Sequence, residues 1–189
     1  EGYKTARDFM QMLAPANVDR VHLYSDKNIP LFYRHQVETQ IDAIHSPTVH
    51  LKSGGYIVIN PTEALVSIDV NSGRATKGRH IEETALKTNI EAAEEVARQL
   101  RLRDQGGLIV IDFIDMEDRR ANRIVEKKLR DAMASDRARI QLGRISPFGL
   151  LELSRQRLHP SLVETNFETC RHCAGQGIVR TNDTMAVMV

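Results

Sequence analysis

Two apolar runs in the middle of the chain have the same form. Leu65-Val66-Ser67-Ile68-Asp69 and Leu108-Ile109-Val110-Ile111-Asp112 are short, rich in β-branched residues and bounded by Asn71-Ser72-Gly73 and Gly106-Gly107, as buried strands are. Between them Ala85, Leu86, Ile90, Ala93, Val96, Ala97 and Leu100 recur at helical spacing and predict one amphipathic helix over residues 82–103. A right-handed β-α-β crossover makes the two strands parallel and allows them to be neighbours, about 4.8 Å apart. Asp69 and Asp112 then share the carboxyl edge of the sheet, where open α/β sheets place their ligands.

The flanking pattern is mixed. Phe9, Met12 and Leu13 predict a helix over 5–13 that ends at Ala14-Pro15-Ala16-Asn17, and the alternation in 18–24 predicts a strand. Residues 29–32 read as extended and 34–44 as weakly helical. Residues 49–51, 56–60 and 63–70 predict three strands, the first two joined by a Ser53-Gly54-Gly55 turn. A helix follows over 119–135, with Ala121, Ile124, Val125, Leu129, Ala132 and Met133 on its buried face. Strands over 137–142 and 149–154 then flank the turn Ser146-Pro147-Phe148-Gly149. The summary is an α/β layered domain.

Two carboxylates held at neighbouring strand ends repel, and one takes up a proton unless a cation lies between them. Magnesium suits such a pair, since it accepts one or two carboxylates, keeps several waters and takes phosphate oxygens. The competing reading is that each aspartate caps a loop or a helix. Asp115, three residues past Asp112, is a candidate to support the metal indirectly. Glu82 and Glu83 most simply favour the positive N-terminal end of the long helix.

Composition narrows the class. The 189 residues are 41% hydrophobic and 27% charged, and no apolar run approaches the ~20 residues of a membrane span. Net charge is +1, so no global basic field marks a nucleic-acid partner. Charge is nevertheless uneven: Arg137, Arg139, Arg144, Arg155 and Arg157 face a single acid, Glu152, between positions 137 and 163. Such a stretch suits bidentate phosphate contacts, although any one arginine can instead be paired within the fold. The chain begins at Glu1 and turns apolar over 182–189, and it is expected to be a middle piece of a longer protein.

The two cysteines, Cys170 and Cys173, lie in Cys-Arg-His-Cys-Ala-Gly-Gln-Gly. This is half of a four-ligand zinc site. The other half could come from a second protomer, or His172 or His159 could contribute. A redox dithiol and a pair of inert buried thiols remain open alternatives.

Specific stretches carry a family resemblance. Ile68-Asp69-Val70-Asn71-Ser72-Gly73-Arg74-Ala75-Thr76-Lys77-Gly78, Ile81 to Ala85, Arg98 to Asp104, Gly107 to Met116 and Gly149 to Arg157 resemble the catalytic core of the ribonuclease E/G family, in order through most of residues 46–177. The resemblance implies a magnesium-dependent endoribonuclease cutting single-stranded RNA in RNA processing and mRNA decay. One magnesium per active site falls on Asp69 and Asp112, and an asparagine beside the scissile phosphate falls on Asn71. One zinc shared by two protomers falls on Cys170 and Cys173. Arg74 and Lys77 are candidate contacts to the RNA backbone, with solvated loop charges as the alternative.

The implied organisation is the end of a ribonuclease H-like subdomain (1–45), a deoxyribonuclease I-like mixed-sheet subdomain (46–165), a zinc link (166–181) and the start of a small domain (182–189). Implied partners are single-stranded RNA, further copies of the chain through the zinc link (a dimer, and a tetramer in the full-length protein) and RNA-decay proteins bound by regions outside this chain. The implied location is the bacterial cytoplasm, with inner-membrane association only through such outside regions. The family's oligonucleotide-binding barrel and 5′-end sensor are expected upstream, so this piece alone should bind RNA weakly. Arg171 stands where many members have proline. A non-catalytic RNA-binding scaffold, with the zinc serving assembly, is the alternative.

Overall fold

The computed structural model describes residues 1–73, 81–160, 168, 170–173, 175 and 177. The chain divides into two compact units, Glu1–Ala43 and Ile44–Val189.

In the first unit, α1 (Gly2–Leu13) is followed by a 3-10 turn over Pro15–Arg20 and two short helices, α2 (Leu31–Arg34) and α3 (Val37–His45), the last of which runs into the second unit. The strand expected over 18–24 is not formed. Pro15 supplies a preset φ at the first position of the 3-10 turn, which consumes residues to Arg20, and 21–26 pair with no strand. The extended stretch expected over 29–32 is likewise cut short, because Pro30 opens α2 at Leu31.

The second unit is built on a six-stranded sheet. Its strands are β1 (Thr48–His50), β2 (Tyr56–Pro61), β3 (Val66–Asn71), β4 (Gly107–Asp112), β5 (Ile140–Ile145) and β6 (Leu150–Arg155), in the order β1-β2-β3-β4-β6-β5. Among the described residues only β3 and β4 pair in parallel, and the other pairings of these six strands are antiparallel. The single parallel pair requires a crossover, which is α4 (Ile81–Leu102). A second helix, α5 (Arg119–Met133), packs on α4 and begins at Asp118, whose side chain accepts the Arg120 amide at 2.7 Å.

Strand alternation decides what each face carries. Val66, Ile68 and Val70 of β3 and Ile109 and Ile111 of β4 are buried in the core. They meet Ala92, Ala93, Val96, Ala97 and Leu100 of α4 and Val125 and Leu129 of α5. The small residues of α4 let it lie close to the sheet and to α5 together. Ser67, Asp69 and Asn71, and Val110 and Asp112, occupy the opposite face.

The strand expected at 137–142 starts three residues later. Asp136 accepts the Ala138 amide at 2.9 Å, holding 136–138 in a turn. Asp136 also serves a buried ion-pair group: Arg155 Nε donates to it at 2.8 Å, and Arg155 Nη1 donates to Asp104 at 3.1 Å and to the Gln105 carbonyl at 2.8 Å. The Arg155 and Asp136 side chains are each only 2% exposed. Arg155 therefore joins the end of β6 to the end of α4, and is unavailable for the phosphate contact its basic stretch suggested.

Burial alone would raise both partner carboxyls. At Asp136 the hydrogen bonds from Arg155 and the Ala138 amide outweigh it, and at Asp104 those from Arg155 and His159 do, so both sit below the ordinary carboxylate value. Their contribution to stability is full above the unfolded value of about 3.9 and is lost as pH falls through the lowered folded values. Denaturant stability should hold from neutrality to about pH 5 and decline steeply below it. Asp136→Asn should cost about 3 kcal/mol at pH 7 and flatten that decline, as read by urea melts across pH. A variant as stable as the parent would contradict this account.

Candidate active site

The register of the parallel pair places Asp69 directly opposite Asp112, at the carboxyl ends of β3 and β4. Paired residues on adjacent strands point to the same side, so both carboxylates stand on the face away from the helices. The Asn71 side-chain amide, two residues on along that face, donates to Asp69 Oδ2 at 2.7 Å. At Asp112, partial desolvation and then the negative charges of Asp69 and Asp115 push the carboxyl above its ordinary value. Three carboxylates thus crowd one sheet edge.

Surrounding backbone fixes this edge. Gly149, in the turn between β5 and β6, has φ +78 and its carbonyl accepts the Phe113 amide at 3.2 Å. A Cβ there would stand 3.0 Å from Asp115 Oδ1 and 3.8 Å from Asp112 Oδ1, so only glycine lets the turn lie against both acids. Gly55 does similar work at β3, where a Cβ would lie 2.6 Å from the Asn71 carbonyl. From the helix layer, the fully buried Asn89 of α4 clamps the segment after Asp112: its amide donates to the Ile114 carbonyl at 2.8 Å and its oxygen accepts the Ile114 amide at 3.0 Å. Glu82, in the first turn of α4, accepts the Asp118 amide at 3.1 Å, tying the helix start to the cap of α5.

Asn89 escaped the pattern reading. Its signal was present, a polar residue on the apolar stripe between Ala85 and Ala93, but its partner is set by tertiary structure.

The donor set fits magnesium: hard oxygens only, two carboxylates facing each other, and a third adjacent. Among the described residues no group of three or more His, Cys, Asp or Glu is gathered tightly enough to hold a metal alone. Arg74 and Lys77 lie outside the described residues.

In the cysteine motif, Cys170 is exposed and Cys173 half-buried. The amides of Cys173 and His172, and then the Cys173 side chain, hold the Cys170 thiol below its ordinary value. The Gly177 amide approaches Cys173 Sγ at 3.4 Å. The lowering at Cys170 favours the thiolate, the form that binds zinc. His159 is exposed with its ring Nδ1 3.1 Å from Asp104.

A model of the Ribonuclease E/G family matches residues 1–158. The chain belongs to the ribonuclease E/G family. It is 53% identical to ribonuclease E of Haemophilus influenzae over 187 residues, covering 99% of this chain and 20% of that protein. It is 56% identical to ribonuclease E of Escherichia coli strain K12 over 170 residues, covering 90% of this chain and 16% of that protein. Ribonuclease G of Salmonella typhimurium is 37% identical over 183 residues, covering 97% of this chain and 37% of that protein. The chain therefore spans about a fifth of the length of its ribonuclease E relatives. No helix among the described residues is long and apolar enough to cross a membrane.

The Asn89 clamp gives a test of how the edge is held. Asn89→Ala strands a buried amide and a buried carbonyl and should cost about 2–4 kcal/mol in urea denaturation. An unchanged midpoint would mean that the Ile114 segment is held by other contacts.

Proposed function

We propose that this chain is the catalytic core of an endoribonuclease that hydrolyses phosphodiesters of single-stranded RNA in RNA processing and decay. Asp69 and Asp112 hold one magnesium ion. The observation that carries this reading is the in-register pairing of the two aspartates at a crowded anionic sheet edge, in a member of a family of ribonucleases. The six-stranded unit is read as a deoxyribonuclease I-like core, and Glu1–Ala43 as the end of a ribonuclease H-like subdomain.

Magnesium held by Asp69 and Asp112 would supply Lewis-acid chemistry at the phosphoryl oxygen and acidify a water, and hydrolysis of the phosphodiester by that water would leave a 5′-phosphate and a 3′-hydroxyl. Asp69 and Asp112 would bind and position the ion. Asn71 holds the Asp69 carboxylate in one orientation through its 2.7 Å hydrogen bond, and it borders the place where the phosphate must lie. Asp115 adds negative charge beside Asp112, which favours retention of a cation. Gly149 and Asn89 act through the backbone, as positioning residues.

The Cys170-Cys173 pair contributes two thiolates to a zinc shared with a second protomer, which supplies the matching pair. The lowered Cys170 thiol and the amides directed at both sulfurs support this reading. The zinc joins copies of the chain and takes no part in hydrolysis.

Asp69→Asn and Asp112→Asn should each lower cleavage of a short fluorescent single-stranded RNA at least about a thousandfold, from loss of several kcal/mol of charge stabilisation. The intact protein should otherwise keep its melting temperature. Parental turnover by either variant would sink the two-carboxylate site. Cys170→Ser should lower zinc content and assembly state together, measured by elemental analysis and light scattering; zinc retained at the parental ratio would refute the shared site.

A further inference from the structure

A cleft of 730 Å³ opens beside the aspartates, between α5 and the β5–β6 turn, and shares Asp115 and Gly149 with them. One wall is a stripe of α5: Arg119, Arg123 and Arg130, each exposed, with Asn122 between them. Positions 119, 123 and 130 recur at helical spacing on one face and span about 16 Å of axis at 1.5 Å per residue. Arg144 of β5 supplies the opposite wall. No ion pair or hydrogen bond within the described residues engages any of these four arginines. The acids of the cleft are placed differently. Glu126 is engaged, accepting the Ile145 amide at 2.9 Å, Asp115 lies beside Asp112 at the aspartate end, and Glu117 is the remaining acid of the lining.

The turn that closes the cleft carries a further signal. Phe148 is 81% exposed, between Pro147 and Gly149, which both line the cleft. A phenyl ring left in water at the lip of an arginine-rich groove offers a flat apolar face, and a strand of bases is the polyanion that brings matching faces.

We infer that this cleft is a second RNA-binding segment of the same site: its arginines hold a run of phosphates on one side of the cleaved bond, and Phe148 stacks on a base. The inference rests on the proposed RNA-cleaving function and extends it by naming where the strand lies. An acidic peptide would satisfy the arginines but gives no role to the exposed ring. The length of the stripe suits several phosphates in a row and exceeds what one phosphorylated small molecule needs.

The test measures fluorescence anisotropy of a labelled single-stranded RNA on the intact protein in an Asp112→Asn background, so that bound RNA persists. Arg123→Ala, Arg130→Ala and Arg144→Ala should each weaken binding several-fold and lower the slope of log affinity against log salt by about 0.7. Arg123→Lys should keep the slope. Phe148→Ala should weaken binding about 5- to 150-fold without changing the slope, and Phe148→Trp should retain affinity. Lys87→Ala, on the exposed surface of α4 outside the cleft, should change nothing. Arginine variants that fold and bind RNA with parental affinity and slope overturn the inference, including the case in which they lose binding to a polyglutamate peptide instead. Failure here is separable from failure of the catalytic reading, which is decided by cleavage in the Asp69 and Asp112 variants alone.

Discussion

The parallel pairing of β3 with β4 sets two negative charges opposite each other at the end of a sheet, and much of the unit can be understood as holding that arrangement. A one-residue slip in this register would move one aspartate to the helix-packed face and leave a carboxylate in the apolar core. Ile68 and Ile111, one position back along the same pair, are almost fully buried against α4 and α5 and oppose such a slip. Hydrophobic burial on one face thereby fixes electrostatic repulsion on the other. At Asp112 partial desolvation, and after it the charges of Asp69 and Asp115, push the carboxyl upward.

The segments after each strand are held by groups outside the aspartate pair. Asn89 reaches through from α4 to Ile114, Gly149 lets the β5–β6 turn lie against Asp112 and Asp115, and Gly55 lets the first hairpin meet the end of β3. A metal site needs its ligands held by rigid neighbours, and here both sides of the edge are fastened to the best-packed part of the unit.

Much of this was legible in the chain, because the central helix and its two strands carry strong and different hydrophobic periods. The α4 and β4 boundaries agree with the pattern within a residue or so. Residues 18–24 misled because a short alternation, with few apolar residues behind it, was overridden by Pro15 and the 3-10 turn it starts. Arginine roles were the least legible. Arg155 reads like its neighbours in a basic stretch, yet its partners lie 19 and 51 residues away in sequence and bury it. Arg119, Arg123 and Arg130 lie in a strongly basic helix, whose charge marks an exposed face without saying which arginines share a site, and only the packing of β5 beside α5 gathers them with Arg144 into one cleft.

The central claim is that Asp69 and Asp112 together hold one divalent cation. Manganese binding to the intact protein, followed by its electron paramagnetic resonance signal, measures this without reference to cleavage. The account predicts one manganese per chain at this site, displaced by magnesium, lost in both Asp69→Asn and Asp112→Asn and retained in Cys170→Ser. Manganese bound by either aspartate variant with the parental affinity and stoichiometry would contradict it.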